Sequence, residues 1–435
     1  MNILLIGGGG REHTMAWKLK QSNLCSELFI IPGNAGTAEL GTNLNFSITD
    51  FDSIATAALK HDVKMVIVGP EEPLVKGITD YFSSHNDLKN ILVIGPSKEA
   101  SQLEGSKAFA KSFMQRHSIP TASYKEFTSK TFKEGCDYIR QQPLPIVLKA
   151  DGLAAGKGVL ICNSHMEAQA EFELMVMHSK FGKAGEKVVI EAFLQGIEMS
   201  VFVLTDGKNY VLLPEAKDYK RIGLGDTGLN TGGMGAVSPV PLFDEPLKKR
   251  VIETIVEPTI SGLQEEKFNY KGFVFFGLMV KDGEPWVIEY NCRMGDPETE
   301  VVLPRMKNDL VELLLAAGNG KLSDVNIEAT SKSAATVVAV SGGYPGNYEK
   351  NIPVHGLNNP VPEGSILFHA GTKTLGENVV TNGGRVMAMT SFGENITEAV
   401  EQSVYAIEQL HFEGMYFRPD IGFEFREENA TNGKA

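Results

Sequence analysis

Glu289, Asn291 and Arg293 stand at i, i+2 and i+4 of one stretch that also carries Trp286-Val-Ile288. In an extended chain, period two sets all three on one face. A carboxylate beside an amide oxygen suits a hard divalent cation such as Mg²⁺, which takes few protein ligands and shares phosphates for the rest. Arg293, one step further, is placed for a phosphate or a developing acyl phosphate. Cys292 points the other way and is expected in the core. A solvated strand carboxylate is the plainer reading of Glu289. The apolar neighbours weaken it, because buried carboxylates need partners.

A second cationic feature lies upstream, Leu148-Lys-Ala-Asp-Gly-Leu-Ala-Ala-Gly-Lys-Gly-Val-Leu160. Apolar, β-branched runs flank it on both sides, so it reads as strand, loop, strand. Gly152, Gly156 and Gly158 let the backbone bend toward a ligand. Lys149 and Lys157 place charge at both ends, as a flap over a triphosphate would need. It is not a Walker A loop: only three residues separate Gly152 from Gly156, Gly158 follows Lys157, and a strand comes next. A surface hairpin with solvated lysines is the alternative.

Glu191 follows the run Val188-Val-Ile190, and Glu198 stands seven residues on. A strand leaving there offers backbone groups to an adenine edge and a carboxylate to ribose hydroxyls. Taken alone, these are equally two surface acids. The glycines of Gly7-Gly-Gly-Gly-Arg-Glu-His13 follow a strand, but Glu12 takes the third glycine position of a dinucleotide fingerprint. The second strand ends in Ile31-Pro32-Gly33 without an acid for an NAD ribose. A glycine turn at a helix start with Arg11 still suits a monophosphate. No G-x-S-x-G elbow and no H-E-x-x-H occur.

The elements that must position these residues fall into about three domains for 435 residues. Residues 1–102 alternate strands (2–6, 28–31, 65–68, 91–94) with helices, which predicts a parallel, Rossmann-like sheet with ligand loops at the strand C-termini. Residues 103–325 carry the lysine flap within a subdomain of about 122–193. A long polar, Gly-rich loop is expected over 218–241, central strands over 272–279 and 285–290, and a helix over 306–317. Residues 326–426 read as a mixed α/β domain, and 427–435 as a disordered tail. A net charge of −13 argues against a general nucleic-acid or membrane surface. Four scattered cysteines without a CxxC pair fit reduced thiols in a cytosol. No apolar run of membrane-spanning length occurs.

Together these motifs resemble the ATP-grasp ligases, and within them the phosphoribosylamine–glycine ligase family. The resemblance covers residues 1 to about 425. It rests on Gly7-Gly-Gly-Gly-Arg-Glu-His13, Pro32-Gly-Asn-Ala-Gly-Thr37, Gly69-Pro-Glu-Glu-Pro-Leu74, the lysine flap, Asn230-Thr-Gly-Gly-Met-Gly235 and Asn291-Cys-Arg-Met-Gly-Asp-Pro-Glu298, all in order. The resemblance implies an ATP-grasp core of two subdomains, with ATP between them. Lys107, Lys149, Lys157, Gly156 and Gly158 would meet the phosphates. Glu191, Ala192, Phe193 and Leu194 would meet the adenine, and Glu198 the ribose. Glu289 and Asn291 would hold Mg²⁺ or Mn²⁺. Gly9, Gly10, Arg11, Asn34, Gly36, Thr37, Glu71 and Pro297 would hold the phosphoribosyl substrate, and Arg293, Lys220 and Asp218 would act in catalysis. The chain departs from the family where Tyr219 stands in place of a frequent His.

The reaction implied joins glycine to 5-phosphoribosylamine through glycyl phosphate, giving ADP and phosphate, in a cytoplasmic monomer that binds neither nucleic acid nor membrane. The alternatives are another ATP-grasp carboxylate–amine ligase or carboxylase on a phosphoribosyl substrate, an NAD-dependent oxidoreductase, and a non-catalytic nucleotide-binding regulator.

Overall fold

A computed structural model describes residues 1–153, 158–178 and 180–425. Strands β1 (Asn2–Gly7), β2 (Leu28–Pro32), β3 (Thr42–Asn43), β4 (Val63–Val68) and β5 (Leu92–Ile94) form the expected parallel sheet, in the order β3-β2-β1-β4-β5. All-parallel strands must be covered on both faces. Accordingly Leu4 and Ile6 enter one core and Ile3 and Leu5 another. The order reverses between β1 and β4, so the crevice of such a sheet opens at their C-terminal ends. Gly8, Gly9 and the helix Gly10–Leu19 follow β1 there, and the helix Glu71–Lys76 follows β4.

The next sheet is antiparallel. It comprises β6 (Tyr124–Thr128), β7 (Ile146–Ala150), β8 (Val159–Cys162) and β9 (Lys187–Ala192), in the order β6-β9-β7-β8. The helices Phe132–Gln141 and His165–Val176 cover it around Phe127, Ile139, Phe172 and Met175. Strands β7 and β8 pair from Ile146↔Cys162 to Lys149↔Val159, which is the expected hairpin.

Eight strands follow: β10 (Ile197–Thr205), β11 (Tyr210–Leu212), β12 (Lys217–Asp218), β13 (Arg221–Gly223), β14 (Thr227–Asn230), β15 (Gly235–Ser238), β16 (Gly272–Lys281) and β17 (Glu284–Asn291). Four of them make the sheet β11-β10-β16-β17. Strand β16 is central as expected, but β17 is an edge strand, extended among the described residues by a single bridge from Val287 to Thr121. Residues 218–241 are not one loop. They hold a β13–β14 hairpin and strand β15, whose runs are too short and glycine-rich to show period two.

Strand β15 is recruited into a further five-stranded sheet by β18 (Ser333–Val340), β19 (Ser365–His369) and β22 (Arg385–Gly393), in the order β12-β15-β18-β22-β19. A small hairpin of β20 (Thr372–Leu375) and β21 (Asn378–Thr381) lies between β19 and β22 in sequence, and the helix Ile396–Ile407 packs on the sheet. The helix expected over 306–317 is interrupted. Asp309 accepts from the N–H groups of Val311 and Glu312 (2.8 and 3.2 Å) and starts a fresh helix, Leu310–Gly318. A separate helix, Thr299–Arg305, precedes it. The expected tail, 427–435, lies outside the described residues. Among those residues no helix is long and apolar enough to cross a membrane.

The first and last domains are joined by buried polar contacts. Asn34 donates its side-chain N–H to the carbonyls of Gly8 (3.0 Å) and His369 (2.8 Å). His13 Nδ1 accepts the backbone N–H of His369 at 2.7 Å. Burial, with His369 as neighbour, pushes His13 down to about 3, and burial pushes His369 to about 4. Both histidines therefore fold neutral. Their contribution is complete above the ordinary histidine value of about 6.5 and falls as the pH drops below it, because the unfolded chain then binds more protons. The expected slope is about 1.4 kcal/mol per pH unit per histidine below about 6.5. Urea midpoints measured between pH 7.5 and 4.5 test this: His13→Gln should flatten the slope, and an unchanged slope refutes the assignment.

Candidate active site

A cavity of about 170 Å³ opens between the β6–β9 sheet and the sheet that ends in β17. Its β17 wall depends on a bulge. Gly277 pairs with Glu289 but Leu278 pairs with Val287, so Ile288 is an extra residue. Val287 and Tyr290 are both buried in the core, an odd spacing that strict alternation would forbid. Without the extra residue Glu289 would share Val287's face. With it, Glu289 and Asn291 line the cleft.

Arg293, just past the strand, pairs with Glu104 (2.7 Å) and stands 3.6 Å from Glu71. Glu104 also accepts from the Asn291 side-chain amide (3.3 Å) and from the backbone N–H of Cys292 (2.8 Å). Burial pushes Glu104 up, against the pull of Arg293. Burial also opposes ionisation of Glu71, but Arg293 and Arg11 win and hold it low. Cys292 lies in the core as expected. Asn291 Oδ1 and Arg293 Nε are buried without a hydrogen-bond partner. Such orphaned atoms are costly unless a ligand completes them. An unpaired amide oxygen beside the Glu289 carboxylate fits a divalent cation that takes its other ligands from phosphates. Among the described residues no three His, Cys, Asp or Glu side chains converge as a metal cage.

The opposite wall is cationic. Lys149, on β7, pairs with Glu191 Oε2 (3.0 Å) and donates to the Ile288 carbonyl (3.1 Å). Lys111 reaches the same oxygen at 3.1 Å and also donates to Thr121 (2.7 Å). Burial, offset in part by Glu191, leaves Lys111 at about 8. Glu191 Oε1 has no partner. Lys107 begins the helix Lys107–Arg116. Asp151 ties that start to the flap by accepting from Ser106 Oγ (2.9 Å) and Ala108 N–H (2.7 Å). Gly158 lines the cleft at the flap base, while Gly156 and Lys157 lie outside the described residues. Ala192, Phe193 and Leu194, where β9 leaves for β10, line a second cavity of about 380 Å³ with Met279 and Trp286.

A further cluster surrounds Lys220, which pairs with Glu198 (2.5 Å) and Asp218 (3.0 Å). Burial opposes the Lys220 charge, but Asp218 and Glu198 hold its value well above the ordinary one. Burial raises Asp218; Glu198 stays low because Lys220 outweighs its burial. Tyr219 points the other way. It is wholly buried and donates to Glu424 at 2.9 Å.

At the N-terminal loop, Glu12 accepts from the Gly9 N–H (2.7 Å) and from Arg11 Nε (2.6 Å). Its side chain fills the space where a Cβ on Gly7 (φ +125°) or Gly69 would lie, so both positions require glycine. Arg11 donates to the Met294 carbonyl (3.2 Å) and keeps its charge despite burial, through Glu12, Asp296 and Glu71. A Cβ on Gly10 would collide with Glu300. Asn34, Thr37 and Gly36 shape this loop. Asn34 and Thr37 exchange hydrogen bonds (2.9 and 2.7 Å), and Gly36 packs bare against His13. Pro297 packs against Gly233. Arg385, from β22, pairs with Asp296 at 2.9 Å.

Glu104, Lys111 and Arg385 escaped the sequence reading. Lys111 sits four residues after Lys107 on one helix, a spacing that puts both on one side and was the available signal. Nothing local in the sequence marks Glu104 or Arg385.

Two β-rich subdomains closing on a cleft, lysines on one wall and Glu289 with Asn291 on the other, define the ATP-grasp class of ligases. Family models described as phosphoribosylglycinamide synthetase match in three pieces: the N domain over 1–104, the ATP-grasp (A) domain over 105–299 and the C domain over 334–424. Phosphoribosylamine–glycine ligase of Escherichia coli K12 is 44% identical over 99% of this chain and all of its own. That of Vibrio cholerae is 44% identical over 97% and 98%. The crystal structure of phosphoribosylamine–glycine ligase from Thermotoga maritima superposes with TM-score 0.84 at 34% identity, covering 97% of this chain and all of that one. A biotin carboxylase domain from Hydrogenobacter thermophilus reaches 0.74 at 17% identity, over 95% and 91%, which is a likeness of fold. The chain belongs to the phosphoribosylglycinamide synthetase family.

Tyr219 should be structural here. Tyr219→Phe is expected to cost about 1 kcal/mol of stability, the worth of one hydrogen bond, and to leave turnover within about twofold. Urea unfolding and a steady-state assay check this; a large rate loss at intact stability would place the hydroxyl in the chemistry.

Proposed function

We propose that this protein joins glycine to 5-phosphoribosylamine at the expense of ATP, releasing glycinamide ribonucleotide, ADP and phosphate. The observation that carries the chemistry is the unpartnered Asn291 Oδ1, standing with Glu289 and Arg293 in the cleft that Lys149 also lines. A triphosphate laid there meets cations on both walls.

Glycine's carboxylate is ionised at neutral pH, so it attacks the γ-phosphorus without a base. Glycyl phosphate forms and ADP leaves. The ribosylamine nitrogen then attacks the acyl carbon, and phosphate departs. Lys107, Lys149 and Lys157, with Gly156 and Gly158, hold the phosphates. Glu191, Ala192, Phe193 and Leu194 meet the adenine, and Glu198 the ribose. Arg293 faces charge that develops on the transferred phosphoryl group, and Asp218 and Lys220 position glycine. Gly9, Gly10, Arg11, Asn34, Gly36, Thr37, Glu71 and Pro297 shape the phosphoribosyl pocket. Catalysis is positioning and charge neutralisation in a site closed to water. Glu289 and Asn291 would hold Mg²⁺ or Mn²⁺, which supplies further charge neutralisation at the phosphates. The reading includes small-molecule substrates only, a monomer, and a cytoplasmic setting.

The test is product analysis with ATP, glycine and freshly made phosphoribosylamine. Glycinamide ribonucleotide with one ADP per turnover is expected. Faster turnover with bicarbonate, or with another amino acid, would favour a different ATP-grasp ligase or carboxylase. Glu289→Gln should lower turnover by about 100-fold or more, since losing one ligand of the cation it would hold removes charge stabilisation of several kcal/mol. Unchanged turnover at unchanged metal dependence would remove Glu289 from the site.

A further inference from the structure

Glu298 lies outside every role given above. It is the N-cap residue of the helix Thr299–Arg305, and its side chain is almost wholly buried. Ser200 Oγ, from β10, donates to its Oε1 at 3.2 Å. Its carboxylate fills the space that a Cβ on Gly295 would need. The charged groups facing it come from three directions: Asp218 and Lys220 from the segment after β11, Arg293 from the turn after β17, and Glu300 from its own segment.

Its place in the molecule is specific. Two residues earlier, Asp296 borders Gly9 of the N-terminal loop and holds Arg385. On the other side stand Arg293 and the Lys220 cluster. Glu298 thus sits between the end of the cleft where the acyl phosphate forms and the loop assigned to the ribosyl substrate. The amine must meet the acyl carbon at that junction.

We propose that Glu298 accepts the proton that the ribosylamine nitrogen loses as it attacks glycyl phosphate. This rests on the reaction proposed above. The step balances as follows: the N–C bond forms, the C–O bond to phosphate breaks, the nitrogen's proton passes to the Glu298 carboxylate, and the phosphate leaves as an anion.

The neighbouring acids are poorly suited. Asp218 is committed to Lys220 by an ion pair. Glu300 is turned to Gly10 of the N-terminal loop, and burial, then Asp296, raises it well above the ordinary carboxylate range. Burial, then Asp218, raises Glu298 to about 7, where it is part ionised at neutral pH and still basic enough to take a proton.

Hydroxylamine separates the half-reactions, because it traps acyl phosphates in free solution without a protein base. Wild-type enzyme with ATP, glycine and hydroxylamine should release ADP and glycyl hydroxamate; if it does not, the proposed reaction fails, whatever Glu298 does. Glu298→Gln keeps the shape and can still accept from Ser200. It should retain hydroxamate formation within about threefold, while amide formation with phosphoribosylamine falls about 10²- to 10⁴-fold. Glu298→Asp should recover part of that loss. Equal loss of both activities, or loss of neither, overturns the assignment. Ser200→Ala gives a second reading should the Gln variant not fold. Without the hydroxyl the carboxylate is less stabilised, so the acidic limb of the amide-forming rate should move to higher pH. A limb that stays in place also overturns it.

Discussion

Charge removed from water must find a partner inside the protein, and here the partners come from different domains. Arg293 follows β17, Glu104 belongs to the short helix before Lys107, and Glu71 caps the end of the parallel sheet. Arg11 reaches the Met294 carbonyl, and Arg385 of the last sheet reaches Asp296. Removing one member of such a set strands the others, so the domains are bound to one another where their charges meet. That meeting point borders the proposed active site. Its charges compensate one another within the protein.

What remains unpaired is then informative. Most buried polar side chains here have hydrogen-bond partners. Among the described residues of the cleft, Glu191 Oε1 and Asn291 Oδ1 have none, and Arg293 Nε has only the Glu71 carboxylate at 3.6 Å, beyond hydrogen-bond distance. An acceptor on one wall, and an acceptor and a donor on the other, are left open for a ligand. Satisfying them is binding energy that the fold leaves unused until substrate arrives.

Backbone irregularity does the positioning. The extra residue at Ile288 lets one strand bury Val287 and Tyr290 and still turn Glu289 and Asn291 to the cleft. Glu12 performs a similar service at the N-terminal loop. Its carboxylate orders Gly9 and Arg11, and it fits only because Gly7 and Gly69 have no side chains. Glycine density there reflects the packing of a buried carboxylate as much as room for a ligand.

The sequence by itself determined the local patterns. Short aliphatic runs alternating with helices spelled out the parallel sheet. Two apolar runs around a glycine-rich loop made the β7–β8 hairpin, and Glu289 with Asn291 marked the strand that lines the cleft. These are legible because period and turn chemistry act over a few residues. The tertiary structure decided what depends on neighbours far away in the chain. Strand β15 exists because β18 lies beside it, and Tyr219 is buried because Glu424 receives its hydroxyl. Glu104 and Arg385 matter only through Arg293 and Asp296. Glu298 and Glu300, two residues apart, are both raised first by burial, but Asp218 adds to one and Asp296 to the other. Such properties belong to pairs of residues brought together by folding, and no local stretch of sequence contains both members.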